Sequence, residues 1–107
     1  MKKSEEELQE RCLKAFLDKA ILAMLGSKSM SGYAITLSFA KKLGIIINPS
    51  IVYSKLTLME REGLVSCAQS RRGRVYKTTD SGKKSLENTI NSVDRVYGII
   101  EKLLNSH

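Results

Sequence analysis

Few residues in this chain of 107 have the type and spacing that covalent chemistry needs. The one histidine, His107, is the final residue, and the two cysteines, Cys12 and Cys67, lie far apart with no ligand-type companions, so no zinc site is expected. Neither phosphate-binding glycine pattern, GxxxxGK[ST] or GxGxxG, occurs. The chain therefore reads as a non-enzyme with no cofactor and no metal. Cys67 reads as a small structural residue of a strand, and both thiols as free. What remains is the chemistry of cations and hydroxyls. The stretch SRRGRVYKTTDSGK sets Arg71, Arg72 and Arg74 around Gly73, with Lys77 close behind, and no acidic residue lies between Glu62 and Asp80 to neutralise them. A second stretch, NPSIVYSKLT, carries Ser50, Tyr53, Ser54 and Thr57, with Lys55 beside them. Arginines at a tight turn and hydroxyls on a helix face suit phosphates and base edges. Lys28, Lys41 and Lys42 are weaker phosphate candidates.

The charge distribution agrees. The net charge is +7, and it is concentrated: residues 26–84 carry eleven basic and three acidic residues, whereas both ends are near neutral. Such a segment favours a polyanionic partner. The N-terminus is charged and the cysteines are few, which predicts a cytoplasmic protein with reduced thiols. The apolar run AILAMLG is too short to span a bilayer, so no membrane partner is expected.

These residues need elements to hold them. A capping box of Ser4 and Glu7 predicts one helix from there to Leu25, with Leu13, Phe16, Leu17, Ala20 and Met24 on its apolar face and Gly26 as its stop. Ser29 or Ser31 caps a second helix with Ile35, Phe39 and Leu43 on one stripe, ending at Gly44. Pro49 opens a third, whose Val52, Leu56 and Met59 face the core and leave Ser50, Tyr53, Ser54 and Thr57 outward. Gly63 stops it. LVSCAQ and VYKTT then form a hairpin about SRRGR. Thr79, Asp80 or Ser81 caps a last helix reaching about Asn105. Its seam, Leu86, Ile90, Val93, Tyr97, Ile100 and Leu104, runs at spacings of 4, 3, 4, 3, 4, a heptad pattern. Three helices and a hairpin make a winged helix-turn-helix: an α+β, mostly α fold, with one added helix. Residues 1–82 read as the DNA-binding unit with its N-terminal helix extension, and 83–107 as a dimerisation helix packed against it. The seam, with Phe16, is the expected homodimer interface, because a lone subunit would leave it bare.

The sequence resembles the PadR family of transcriptional regulators over roughly residues 20–87. Gly32 and Tyr33 match the family's His-Gly-Tyr, although Ser31 stands in place of the His. Tyr53 and Leu56 match its Tyr-x-x-Leu recognition helix. Glu62, Gly63, Leu64 and Val65 are close to its Glu-x-Gly-Leu-Val segment, with Glu directly before Gly, and Tyr76, Thr79 and Gly82 match its Tyr-x-x-Thr-x-x-Gly. The resemblance implies a DNA-binding homodimer, usually a repressor. Its last helix would exchange contacts with the partner's N-terminal helix. It adds Ser31 and Tyr33 to the DNA-facing set of Pro49, Ser50, Tyr53, Ser54, Lys55, Arg71, Arg72, Arg74 and Lys77. Some relatives stack flat aromatic effectors on a tryptophan. This chain has none, so a small-molecule effector is possible but unsupported, with Phe16, Met24 and Tyr97 the residues that could line a pocket. Two other readings keep the fold: a partition or architectural protein that coats double-stranded DNA with little sequence preference, and a protein-interaction module that does not use DNA.

Overall fold

The computed structural model describes residues 2–26, 28–71 and 73–106. Five helices and one hairpin follow in the order α1 (Lys2–Ala15), α2 (Leu17–Leu25), α3 (Gly32–Leu43), α4 (Pro49–Arg61), β1 (Val65–Ser70), β2 (Gly73–Thr78) and α5 (Asp80–Leu104).

The single first helix expected from the sequence is two helices. Phe16 leaves helical geometry at φ −113°, ψ 28°. Its amide is shared between the carbonyls of Cys12 at 3.2 Å and Leu13 at 3.1 Å. No glycine or proline marks this break. Its cause is tertiary: Leu17, Ile21, Leu22 and Leu25 are buried by α3, α4 and α5, whereas α1 from Ser4 onward is exposed apart from a half-buried Leu13. The core face of α2 is thus set by Leu17, Ile21 and Leu25, and Phe16 stays about half exposed. Asp18 starts α2 locally, accepting from the Lys19 amide and ammonium, both at 3.0 Å. Burial pushes its carboxyl up, but the Lys19 bonds and the charges of Lys19 and Lys55 outweigh it and hold the pKa below the usual range. The Ser4–Glu7 capping box does not start α1, because Ser4 already lies inside a helix running from Lys2.

The next two helices follow their predicted signals more closely. Ser31 caps α3, its hydroxyl accepting from the Ala34 amide at 3.1 Å. Ile35 and Phe39 are buried, but Leu43, expected on the same stripe, is exposed in the last turn. Gly44 closes α3 at φ +66°, which a side chain would resist. Asn48 caps α4 ahead of Pro49, and Val52, Leu56 and Met59 are essentially inaccessible. Losing such a side chain costs about 2–5 kcal/mol, so this face decides how α4 sits.

The hairpin is antiparallel, pairing Val65 with Thr78 and Cys67 with Tyr76 out to Ser70 with Gly73. Arg71 follows β1 as a turn residue, and Gly73, the first residue of β2, takes φ +99°. Met30 adds a one-residue third strand, exchanging backbone hydrogen bonds of 3.0 and 2.8 Å with Tyr76. That bridge ties the start of α3 to the wing. Thr79 caps α5 and also donates to the Gly63 carbonyl at 2.6 Å. Gly82 lies so close to the Leu64 carbonyl that a Cβ there would collide with it. The Glu-Gly-Leu-Val and Tyr-x-x-Thr-x-x-Gly segments therefore do one structural job: they clamp the start of α5 to the α4–β1 turn.

Beyond that clamp α5 leaves the body. Every residue from Ile90 to Ser106 is exposed. The radius of gyration is 15.9 Å, against about 13 Å for a compact chain of this length.

Candidate nucleic-acid interface

The outward stripe of α4 comprises Ser50, Ser54 and Thr57, all exposed, as expected from the spacing of the buried residues. It continues to Arg61, exposed in the last turn, which the sequence reading passed over. Counting four, three and four from Ser50 would have found it. Asn48 was also missed, although an Asn before Pro at a helix start is a capping signal. It has a direct consequence: both the amide and the hydroxyl of Ser50 donate to Asn48 Oδ1, at 2.9 and 2.8 Å. Ser50 is thus not the free phosphate donor that the sequence suggests. Thr57 likewise donates its hydroxyl to the Tyr53 carbonyl at 3.0 Å. Lys55 sits on the flank of α4 toward Asp18, whose carboxylate feels its charge. Pro49 is exposed at the helix tip.

Tyr53 flanks the stripe on the wing side, and its ring lies against the Cα of Gly32. A Cβ on Gly32 would strike that ring. The glycine of the Gly-Tyr pair is therefore a packing requirement of Tyr53. Tyr33, one position on, projects into solvent. Ser31, Tyr33, Tyr53, Thr57, Arg74 and Tyr76 together line a groove of about 670 Å³ between the two helices and the wing.

The wing cations divide. Arg74 lies on the inner face of the hairpin with Tyr76, over whose ring its guanidinium sits at 5.9 Å. Its Nε donates to Cys67 Sγ at 3.0 Å and its Nη2 pairs with Glu60 Oε1 at 3.2 Å. The expectation that no acid neutralises this cluster fails here. Glu60 is distant in sequence, and the wing folds back onto the end of α4 to meet it. The Cys67 bond, then the surrounding charges including Glu60, raise the pKa of a guanidinium that is charged in any case, so Arg74 is a fixed cation. Burial raises the Tyr76 phenol against the opposing pull of Arg74. Arg71 is exposed at the tip, and Lys77 points to the opposite, outer face of the hairpin beside Ser66. Arg72 lies outside the described residues. Lys28, Lys41 and Lys42 are exposed.

The expected dimer seam is bare from Ile90 onward: Ile90, Val93, Tyr97, Ile100 and Leu104 are all about half exposed or more, as are Val96, Ile99 and Leu103. Leu86 differs, packing partly against the chain's own core. Phe16 and Val93 border an open depression of about 750 Å³ on α5 that neither Met24 nor Tyr97 lines. Among the described residues no helix is long and apolar enough to cross a membrane, and no group of three or more His, Cys, Asp or Glu could hold a metal ion.

This geometry is shared with known structures. A PadR family regulator from Eggerthella lenta is 22% identical, with a TM-score of 0.76 over 100% of both chains. A PadR-like regulator from Bacillus cereus is 24% identical, with a TM-score of 0.72 over 91% of this chain and 99% of that one. Bacillus subtilis PadR, solved in complex with operator DNA, is 31% identical, with a TM-score of 0.66 over 69% of this chain and 46% of that one. No curated protein matches the chain in sequence. The model of the transcriptional regulator PadR-like family matches residues 21–88, from the second half of α2 through the wing into α5. The winged helix is thus the fold of solved PadR-like regulators, and the match over residues 21–88 makes this chain a member of the PadR-like family of transcriptional regulators.

Proposed function

We propose that this regulator is a cytoplasmic homodimer that binds a partly two-fold operator and represses transcription from it. The observation that carries the reading is one continuous surface. The outward stripe of α4, from Ser50 through Ser54 and Thr57 to Arg61, stands beside a wing bearing Arg71 and Arg74, within a segment of strong positive charge. A recognition helix enters the major groove with its N-terminal residues leading, and flanking cations bind phosphates. The operator complex of Bacillus subtilis PadR supports the same use of the fold. In this reading Ser54 approaches base edges, Tyr33 and Tyr53 line the backbone side, and Arg71, Arg72 and Arg74 hold phosphates, whereas Lys77, on the outer face of the hairpin, adds only to the general positive charge. Residues 83–107 form the dimerisation arm, whose bare seam meets the partner's helices and sets two recognition helices about 34 Å apart. No aromatic cage for an effector enters this scheme, and neither does any catalytic group.

Selection of binders from a pool of random duplexes at two salt concentrations tests it. An enriched inverted repeat is the expected result. With that site in hand, Arg71→Ala should weaken binding to all sequences alike and reduce the salt slope by about 1. Ser54→Ala should change sequence preference and leave the slope alone. Tight binding with no enriched motif would mean DNA coating instead, and no binding at either salt would leave a protein-interaction module.

A further inference from the structure

We infer that Ile51 reads thymine: its side chain contacts the C5-methyl group of a specific thymine in the major groove of the operator. The inference rests on the DNA-binding reading above and assigns base-reading chemistry to a residue outside the hydroxyl stripe. Ile51 is in the first turn of α4, between the cap-bound Ser50 and the core residue Val52. The core face of that helix is 0–1% exposed at Val52, Leu56 and Met59, whereas Ile51 is 46% exposed. It does not face away from the stripe. Ile51, Ser50, Ser54, Lys55 and Leu58 share one shallow surface groove of about 280 Å³.

An exposed isoleucine alone is unremarkable. Two further facts make this one informative. First, the polar competition at the helix tip is already spent, because Ser50 gives both its amide and its hydroxyl to Asn48 Oδ1. With the Tyr53 ring packed against Gly32 on the wing side and Lys55 on the flank toward Asp18, the groups left to meet a base edge in the first two turns are Ser54 and Ile51. Second, the major-groove edges of A, G and C present polar atoms there, and the T methyl is the one apolar group on offer. An isoleucine desolvated against a polar edge gains nothing, so the contact that stabilises its burial is the methyl. Leu58, also exposed, stands seven residues further on, about 10 Å up the helix axis and away from the leading tip.

The test uses the full-length protein and the duplexes it enriches from a random pool. Each thymine of the enriched site is replaced in turn by deoxyuridine, which keeps base pairing and removes only the methyl group. The expected result is one thymine per half-site whose replacement weakens binding about three- to fivefold, the worth of one buried methyl. Ile51→Ser should bind more weakly and be indifferent to deoxyuridine at that position, while Ile51→Val should keep the sensitivity. A wild-type protein insensitive at every thymine overturns the inference without touching the DNA-binding reading, and does so whatever the variants do. An Ile51→Ser protein as sensitive as the wild type also overturns it, because the methyl then touches another residue. Failure of the wild type to bind any duplex removes the DNA-binding reading itself, and the inference with it.

Discussion

At the residue scale, the wing arginines are not equivalent, and their difference depends on one carboxylate. Arg74 enters the groove already engaged by Glu60, Cys67 and the Tyr76 ring. A cation with a protein counter-ion releases less on meeting a phosphate than a free one does. Glu60→Gln removes that counter-ion and a negative charge from the edge of the surface. DNA affinity should therefore rise, and the salt slope should steepen by about 1. Titrations against the selected duplex across a range of salt would show it; a fall in affinity would instead mean that Glu60 holds Arg74 in its productive position. Arg71, at the tip and exposed, has no such latch among the described residues to lose.

At the element scale, the features that look like family signatures are mostly joints. Gly32 makes room for Tyr53, and Gly82 lets α5 approach the Leu64 carbonyl. Thr79 ties α5 to the α4–β1 turn with one hydroxyl: it accepts from the Gly82 amide at 3.0 Å and donates to the Gly63 carbonyl at 2.6 Å. Thr79→Ala should cost about 1 kcal/mol, the usual worth of an N-cap, or roughly 4–8 °C in melting temperature for a domain of this size. Thr79→Ser should recover most of it. Thermal unfolding of both variants would decide, and a Thr79→Ala protein melting with the wild type would mean that the clamp is held by the backbone alone. Asp18 adds an acid-sensitive joint at the start of α2. Its lowered pKa means that its contribution is fully present above the unfolded carboxylate range and is lost as the pH falls from there through the lower pKa of the folded state.

At the scale of the whole molecule, the proposed homodimer answers to what a single chain leaves bare. From Ser4 onward α1, like the outer part of α5, buries almost nothing, yet α5 carries eight large apolar side chains about half exposed or more. Helices are held mainly by tertiary packing, and the proposed dimer would supply the packing that these two lack within one chain. Replacing Tyr97 and Ile100 with Glu should halve the mass measured by sedimentation equilibrium, and DNA affinity should drop as the two half-sites become independent. Glu101→Ala, off the seam, should change neither. A wild-type chain already sedimenting as a monomer would refute the dimer.

Much of this was legible in the sequence, because it depends on local chemistry. The 3.6-residue spacing of Val52, Leu56 and Met59 set the core face of α4 and therefore its outward stripe. The order of helices, the hairpin, the caps at Ser31 and Thr79 and the heptad seam depend on residues close together in the chain. What the sequence did not disclose depends on contacts between distant segments. The break at Phe16 has no local signal and follows from how α2 must lie against three other helices. The exposure of Leu43 reflects a last turn that outruns the core. Glu60 meets Arg74 only because the wing folds back on α4, and Lys77 parts from Arg74 because strand alternation puts them on opposite faces. The residue types available for binding were thus determined by the sequence itself. Which cations are free, which hydroxyls are already spent and which isoleucine faces outward were decided by the tertiary structure, because charge pairing and burial depend on distance in space rather than along the chain.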